Sequence, residues 1–243
     1  MPPRYFLSVV IPAYKEKSRL RRSLPGLRDY LRNQDFSWEV IVVDDGSFDG
    51  TSEVPSEIFS ESEALKVLKN SRNRGKGYSV KQGVLAAQGG LVLISDADFS
   101  TPIEEFEKLH ACLKGDWDIA IGSRALMDSK LEIRQAWYRE GMGRIFNVLV
   151  QMLVLRGYAD TQCGFKCFTR EKVMPVFSQL TLDGFCFDVE LLFIAQKRGL
   201  KIKEVPVRWR DVLRSRVSLV SDSIRMFFDL MRIRFNNKKG LYQ

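Results

Sequence analysis

The 243-residue sequence has one histidine, His110, and four cysteines, Cys112, Cys163, Cys167 and Cys186, with no C-x-x-C spacing among them. His110 has no ligand partner at helical spacing, so a cysteine- or histidine-built zinc site is excluded and the thiols read as packed side chains in a reducing compartment. Long apolar runs are missing too. The longest uncharged stretch, Gln82 to Ser95, contains three glycines and falls short of the ~20 residues a membrane-spanning helix needs. Met1-Pro2-Pro3-Arg4 leads into a short strand-like run without a cleavage pattern, so the expected location is cytoplasmic. Neither the G-x-x-x-x-G-K-[ST] nor the G-x-G-x-x-G pattern occurs, which disfavours a P-loop kinase or ATPase and a dinucleotide dehydrogenase. No internal repeat or low-complexity linker divides the chain.

The apolar content of 45% is enough for a proper core. Charge is unevenly distributed. Residues 1–121 carry 16 basic and 18 acidic side chains, net −2, whereas residues 122–243 carry 22 and 12, net +10. The second half therefore asks for an anionic partner, whether phosphate, nucleic acid or a membrane surface.

Periodicity gives an α/β reading. Strands are predicted at Phe6–Ile11, stopped by Pro12, and at Trp38–Val43, Leu65–Leu68, Gly90–Ser95 and Trp117–Ile121. Between them, helices are predicted at Glu16–Leu31, after an Asp49–Ser52 cap, at Tyr78–Ala87 and at Pro102–Leu113. Such alternation implies a mostly parallel central sheet flanked by helices. Further on, the pattern gives a helix over Trp137–Leu155, a strand near Cys163–Phe168, a helix over Phe187–Lys197 and a strand over Ile202–Val207. Last comes a basic amphipathic helix over Leu219–Phe235, which divides the chain into a catalytic unit, 1–210, and a C-terminal segment, 211–243.

Chemistry concentrates where strands end. The stretch LISDADFSTP closes an apolar run with Asp96 and Asp98, and Asp44-Asp45 closes another, so four acids are expected on the carboxyl edge of the sheet, where open α/β sheets bind ligands. Such a pair suits Mg²⁺ or Mn²⁺, which takes one or two carboxylates plus substrate phosphates. The competing reading has Asp98 capping the helix near Pro102. Arg72, Arg74 and Lys76 lie in a glycine-containing loop that opens a helix, offering cations and backbone N–H groups to phosphates.

Seven segments in order carry a resemblance: PAYKE at 12–16, VVDDGS at 42–47, NRGKG at 73–77, SDAD at 95–98, GSR at 122–124, DTQCGFK at 160–166 and FDVELL at 187–192. They resemble glycosyltransferase family 2, specifically its dolichyl-phosphate glucose synthases and, less closely, its mannose synthases. The likeness runs from about residue 6 to 235. It implies a GT-A fold and inverting transfer of a hexose, glucose favoured, from UDP-glucose or GDP-mannose to a polyprenyl (dolichyl) phosphate at a membrane surface. By position, Pro12, Tyr14, Glu16, Asp44 and Asp45 would line base and ribose, and Lys76 would approach the diphosphate. Asp96, Ala97 and Asp98 would meet metal and ribose. Arg124 and Arg139 match positions facing the acceptor phosphate, and Arg210 and Arg216 fall in a C-terminal basic segment. Asp188 would either orient sugar or arginine, or be a helix-N-terminal acid favoured by the dipole. Gln162 and Lys166 are expected to line the site. The chain departs from the family at Ser100, where mannose synthases often have Gln, and at Arg214-Ser215-Arg216, where relatives often have a Gly-Ser-Lys-like turn.

Two rival readings compete. A sugar-1-phosphate nucleotidyltransferase would want a glycine-rich first strand end, which PAYKE lacks. A non-enzymatic basic module for membranes or nucleic acid leaves the strand-end acids unexplained, and no nucleic-acid partner is expected.

Overall fold

The apolar run of Tyr5–Ala13, β1, has β-branched residues on both of its faces and must be covered on both. In the computed structural model, which describes residues 2–133, 137–210 and 221–243, it lies inside a seven-stranded sheet. Beside it run β2 (Trp38–Asp44), β3 (Leu65–Lys69) and β4 (Gly89–Ile94), all parallel, followed by β5 (Ile119–Ser123). After the short β6 (Lys130–Ile133) come β7 (Lys166–Thr169), β8 (Ile202–Pro206) and β9 (Arg208–Arg210). The strand order is β3-β2-β1-β4-β7-β5-β8, with β6 and β9 paired apart as a small parallel ribbon.

The helices are α1 (Lys17–Arg32), α2 (Val54–Ile58), α3 (Lys76–Ala86), α4 (Phe106–Leu113), α5 (Trp137–Leu153), α6 (Arg170–Gln179), α7 (Phe187–Lys197) and α8 (Ser221–Lys238). Alternate strand residues feed two cores. Val10, Ile41 and Val43 face a cluster shared with residues of α3, α6, α7 and α8, whereas Val9, Ile11, Val40 and Val42 face α1 and α4. Leu20, Leu24, Leu27 and Leu31 of α1 are all buried, as their helical spacing predicts. Each such burial contributes roughly 1.5–3 kcal/mol.

Several expectations need correction. Pro12 does not stop β1, which continues to Ala13 with Pro12 opposite Val43. The Val10 carbonyl accepts from Ser95 on the β4 side and the Ala13 carbonyl from Asp45 on the β2 side. Position 12 therefore faces β4 beyond the end of that pairing, where a missing N–H costs no ladder bond. The strand predicted from Cys163 begins only at Lys166 and is antiparallel to both neighbours, β4 and β5. The helix expected at Pro102 opens as a 3-10 turn, Ile103–Glu105, and Asp49 accepts from Thr51 in a local turn while α2 starts at Val54. The helix α6, which carries Pro175, has no counterpart among the predicted elements. The terminal helix runs Ser221–Lys238, and the first two residues of the predicted span, Leu219 and Val220, lie outside the described residues, as do Arg214-Ser215-Arg216. Among the described residues, no helix is long and apolar enough to cross a membrane.

The seat of α3 on the sheet is set by Gly83, where a Cβ would fall 2.4 Å from Val10 Cγ1 and 3.0 Å from Val43 Cγ2. Gly83→Ala gains about 1 kcal/mol of helix propensity but overpacks a full core, at about 1–3 kcal/mol. At 2.4 Å the cost falls in the upper part of that range, so the variant is expected to lose a net ~1–2 kcal/mol of stability, read as a lower urea midpoint; a raised midpoint would contradict this close approach.

Candidate active site

Because β1, β2 and β4 are parallel, the segments leaving their carboxyl ends share one edge of the sheet. The reversed β7 brings its preceding loop, 160–165, to that same edge. Together they enclose a cleft of about 880 Å³. Its lining includes Pro12, Tyr14, Glu16 and Asp45, Lys76 with Asp96, Ala97 and Asp98, and Arg124, Gln162 and Asp188. Met142 and Phe146 of α5 and Arg225 and Met226 of α8 stand at its border.

Asp45 shapes the basic loop. Its carboxylate accepts from Asn70 Nδ2 at 2.7 Å, from the Arg74 amide at 2.9 Å and from the Gly75 amide at 2.8 Å. Two amides expected to be open to phosphates are thus taken by a carboxylate, and the Tyr78 amide donates to the Asp183 carbonyl at 3.2 Å. Of the loop's cations, Lys76 alone lines the cleft, while Arg74 stacks on Tyr78 at 4.1 Å and Arg72 is exposed. Gly46 permits the packing, since at φ 74° its Cβ would fall 2.5 Å from the Arg72 backbone.

Lys76 Nζ sits 2.6 Å from Asp96 Oδ1. Burial alone would raise the Asp96 carboxyl, but the Lys76 ammonium holds it below the usual carboxylate range. Asp98 shifts the other way, raised by burial and by the neighbouring Asp96 charge. Asp98 Oδ1 accepts from the Ser100 amide at 3.0 Å and the Ser100 hydroxyl at 2.8 Å, so the competing reading is met in part by a turn rather than a helix cap. Gly164 lies against Asp96, where a Cβ would stand 2.1 Å from Oδ2. Lys15 and Phe99, at φ 54° and 48°, adopt left-handed backbone that costs roughly 1–2 kcal/mol each, and both flank the cleft's acid-bearing loops.

Two ion pairs hold Arg124 and Asp188. Arg124 gives Nε to Asp160 Oδ2 at 2.6 Å and Nη2 to Oδ1 at 2.9 Å, and lies 5.7 Å from the Trp209 ring centre. Despite burial, which raises it, Asp160 is drawn down to about 2 by this guanidinium. A guanidinium has five N–H donors, so Arg124 keeps an edge for another anion. Lys166, 1% exposed, donates to the Cys163 carbonyl and to Asp188 Oδ1, the latter at 2.6 Å. Burial nonetheless raises the Asp188 carboxyl, against the pull of Lys166.

The structure brings eleven of the expected residues to the cleft: Pro12, Tyr14, Glu16, Asp45, Lys76, Asp96, Ala97, Asp98, Arg124, Gln162 and Asp188. Asp44 stands behind it, fully buried, accepting from the Ser47 amide at 3.0 Å, so three acids rather than four reach the cleft from the two strand ends. Arg210 is exposed and pairs with Glu132 on the outer ribbon, away from the cleft. The Arg139 side chain and Arg216 lie outside the described residues. Asp160, Gly164 and Trp209 were not singled out as contributors. The first two belong to the quoted DTQCGFK motif, but Arg124 and Asp96 are too far along the chain for spacing to pair them.

Asp96 and Asp98 fit a hard divalent cation by donor chemistry and by the glycine cradle at Gly164. Among the described residues, no three His, Cys, Asp or Glu side chains gather as a complete cage, so further ligands would have to come from substrate and water.

Residues 8–174 match the family profile Glycosyl transferase family 2. A curated dolichyl-phosphate β-glucosyltransferase of Dictyostelium discoideum is 38% identical over 98% of this chain and 76% of its own length. The Saccharomyces cerevisiae protein of the same name is 36% identical, over 98% of this chain and 77% of its own. Among solved structures, glucosyl-3-phosphoglycerate synthase from Mycobacterium tuberculosis, in complex with Mn²⁺, UDP and glucosyl-3-phosphoglycerate, superposes with a TM-score of 0.66. It shares 19% identity over 96% of this chain and 80% of that one. A mostly parallel sheet with an acid-lined carboxyl edge, a family match over more than half of the chain and near full-length likeness to curated transferases converge: the chain belongs to glycosyltransferase family 2, has the GT-A fold and is a hexosyltransferase.

Proposed function

We propose that this protein moves glucose from UDP-glucose to a polyprenyl phosphate of the dolichyl type, with inversion at C1, at a membrane surface. The observation that carries the reading is the meeting of Lys76, Asp96 and Asp98 in a cleft that α5 and α8 also line. The curated relatives named for this reaction support the acceptor and the sugar, and the neighbour holding Mn²⁺ and UDP supports the donor.

Tyr14, Glu16 and Asp45 would line the nucleoside and Lys76 the diphosphate. Asp96 and Asp98 would hold Mg²⁺ or Mn²⁺, which supplies positive charge against the leaving diphosphate. Lys76 adds its own fixed ammonium there, held above its ordinary pKa, against burial, by Asp96, Asp188 and Asp98. One oxygen of the acceptor phosphate bonds to C1 as the bond from C1 to the UDP oxygen breaks, and the electron pair leaves with UDP. A phosphate monoester, with a second pKa of about 6, is largely dianionic at neutral pH. It has no proton that must be removed, so Asp188 is free to stay paired with Lys166 and orient the site. Arg124, stiffened by Asp160 and Trp209, is placed to meet the acceptor anion.

The membrane reading rests on α5 and α8, which pack together and turn apolar side chains outward. Ile145, Val148 and Met152 are exposed on α5, and Ile224, Phe228, Met231 and Phe235 on α8. Arg225, Arg232 and Arg234 are exposed among the latter. An apolar stripe with basic neighbours suits an anionic lipid surface, and its continuity with the cleft border gives a polyprenyl chain a route to the acids.

Purified protein given dolichyl phosphate, Mn²⁺ or Mg²⁺, and UDP-glucose or GDP-mannose in parallel should form glycolipid with UDP-glucose; product from GDP-mannose alone would reverse the donor choice. Asp98→Ala should cut turnover by about 10³-fold while the protein stays folded. Gly164→Ala should weaken Mn²⁺ binding by about 10- to 100-fold in a direct titration, because its methyl displaces the Asp96 carboxylate. Asp188→Asn strands a buried ammonium and should cost about 3 kcal/mol of stability, much of it restored by adding Lys166→Met. In that double variant, kcat should stay within about tenfold of wild type; a loss near 10³-fold would make Asp188 a general base.

A further inference from the structure

Glu190, on α7, is fully buried, and among the described residues its hydrogen-bond donors are all neutral. Oε1 accepts from the Tyr242 hydroxyl at 2.5 Å and from Thr181 Oγ1 at 2.6 Å. Oε2 accepts from the amides of Thr181 at 3.0 Å and Leu182 at 2.8 Å. Asn236, on the inner face of α8, ties the group together by donating to Thr181 Oγ1 at 3.0 Å and to the Tyr242 oxygen at 3.2 Å. A buried carboxylate without a cation is tolerable only when its lone pairs are satisfied, so each of these donors holds the others in place.

The far end of the segment that Glu190 grips is pressed against the start of α3. A Cβ on Gly75 would lie 2.3 Å from the Asp183 carbonyl oxygen, and one on Gly77 would lie 2.6 Å from that of Leu182. The Asp183 carbonyl also accepts the Tyr78 amide at 3.2 Å, and the Leu180 carbonyl accepts Lys81 Nζ at 2.8 Å. Lys76 stands between these two clamped glycines, and Gly184 of the same segment reaches the cleft wall.

We propose that Tyr242 is a positioning residue for donor binding: its hydroxyl fixes Glu190, Glu190 fixes segment 181–184, and that segment sets where Lys76 stands. The inference rests on the reading of Lys76 as the cation that meets the nucleotide's diphosphate. The brace reaches the cleft through segment 181–184 and the two glycines beside Lys76, so its loss weakens the donor first. Burial, then Glu190, raises the phenol to about 12, so the hydroxyl remains a donor throughout the working pH range.

The test is calorimetric titration of UDP with Mn²⁺ present. Tyr242→Phe should weaken UDP about tenfold and raise the KM for nucleotide sugar alike, leaving the KM for polyprenyl phosphate unchanged. In a Lys76→Met background the same substitution should cost less than about twofold, since the brace then has nothing to aim. Amide exchange at Tyr78 should quicken in Tyr242→Phe. Wild-type UDP affinity in folded Tyr242→Phe, or an undiminished loss in the Lys76→Met background, overturns the brace alone. Failure of the wild-type protein to bind UDP overturns the donor reading and the brace with it. Should Tyr242→Phe not fold, Asn236→Ala serves instead, with UDP weakened about threefold expected and unchanged affinity decisive against.

Discussion

The contact between the Lys76 ammonium and the Asp96 carboxylate, at 2.6 Å, is the point to which the rest of the molecule is built. Its partners come from separate strand-to-helix units, one at the start of α3 and the other at the end of β4. Neither side chain holds its position by itself. Lys76 is placed by glycines on each side that let backbone from 182–183 press close, and Asp96 by a third glycine, Gly164, in the loop that leads into β7. Opposite charges so confined in a partly dry cleft attract strongly, yet the pair remains at the surface of the site, where an incoming anion and cation would each find a partner.

Around this contact, carboxylates do structural work before any chemistry. Asp45 organises the loop ahead of α3, Asp160 stiffens Arg124, and Glu190 holds the segment behind Lys76. Each replaces water by several directed donors, which is how acids persist in and behind the cleft. The positive sites are correspondingly few and fixed. Arg74 and Arg72, conspicuous in the sequence, point elsewhere, one onto Tyr78 and the other toward solvent. A basic residue next to a motif glycine is thus no guarantee of a phosphate ligand.

Much of the fold was legible because burial leaves a period. The strands β1 to β5 and the leucines of α1 follow directly from runs and spacing, and the Phe187–Lys197 helix has the predicted limits. What escaped detection depends on partners distant in sequence. The direction of β7 is a property of its neighbours β4 and β5, and a four-residue strand carries no mark of it. The helix α6 was hidden by Pro175, tolerated one and a half turns in. In the site, strand-end acids were recognisable from position alone, whereas Asp44 and Asp45 look identical in sequence and differ only in which one the pleat turns toward the cleft. The roles of Asp160, Gly164 and Glu190 arise from contacts across 36, 68 and 52 residues, beyond any local pattern.

The reversed strand β7 has a consequence for how such an enzyme could diversify. Strands β1 to β4 form a parallel half that leads into Asp45, Asp96 and Asp98, and the chain comes back head-on after β5, wedging β7 between β4 and β5. The excursion between β5 and β7 therefore starts and finishes at the same rim. Its length and character can drift over generations, re-fitting the mouth of the cleft to new acceptors, while the anchored acids on the other side keep their register.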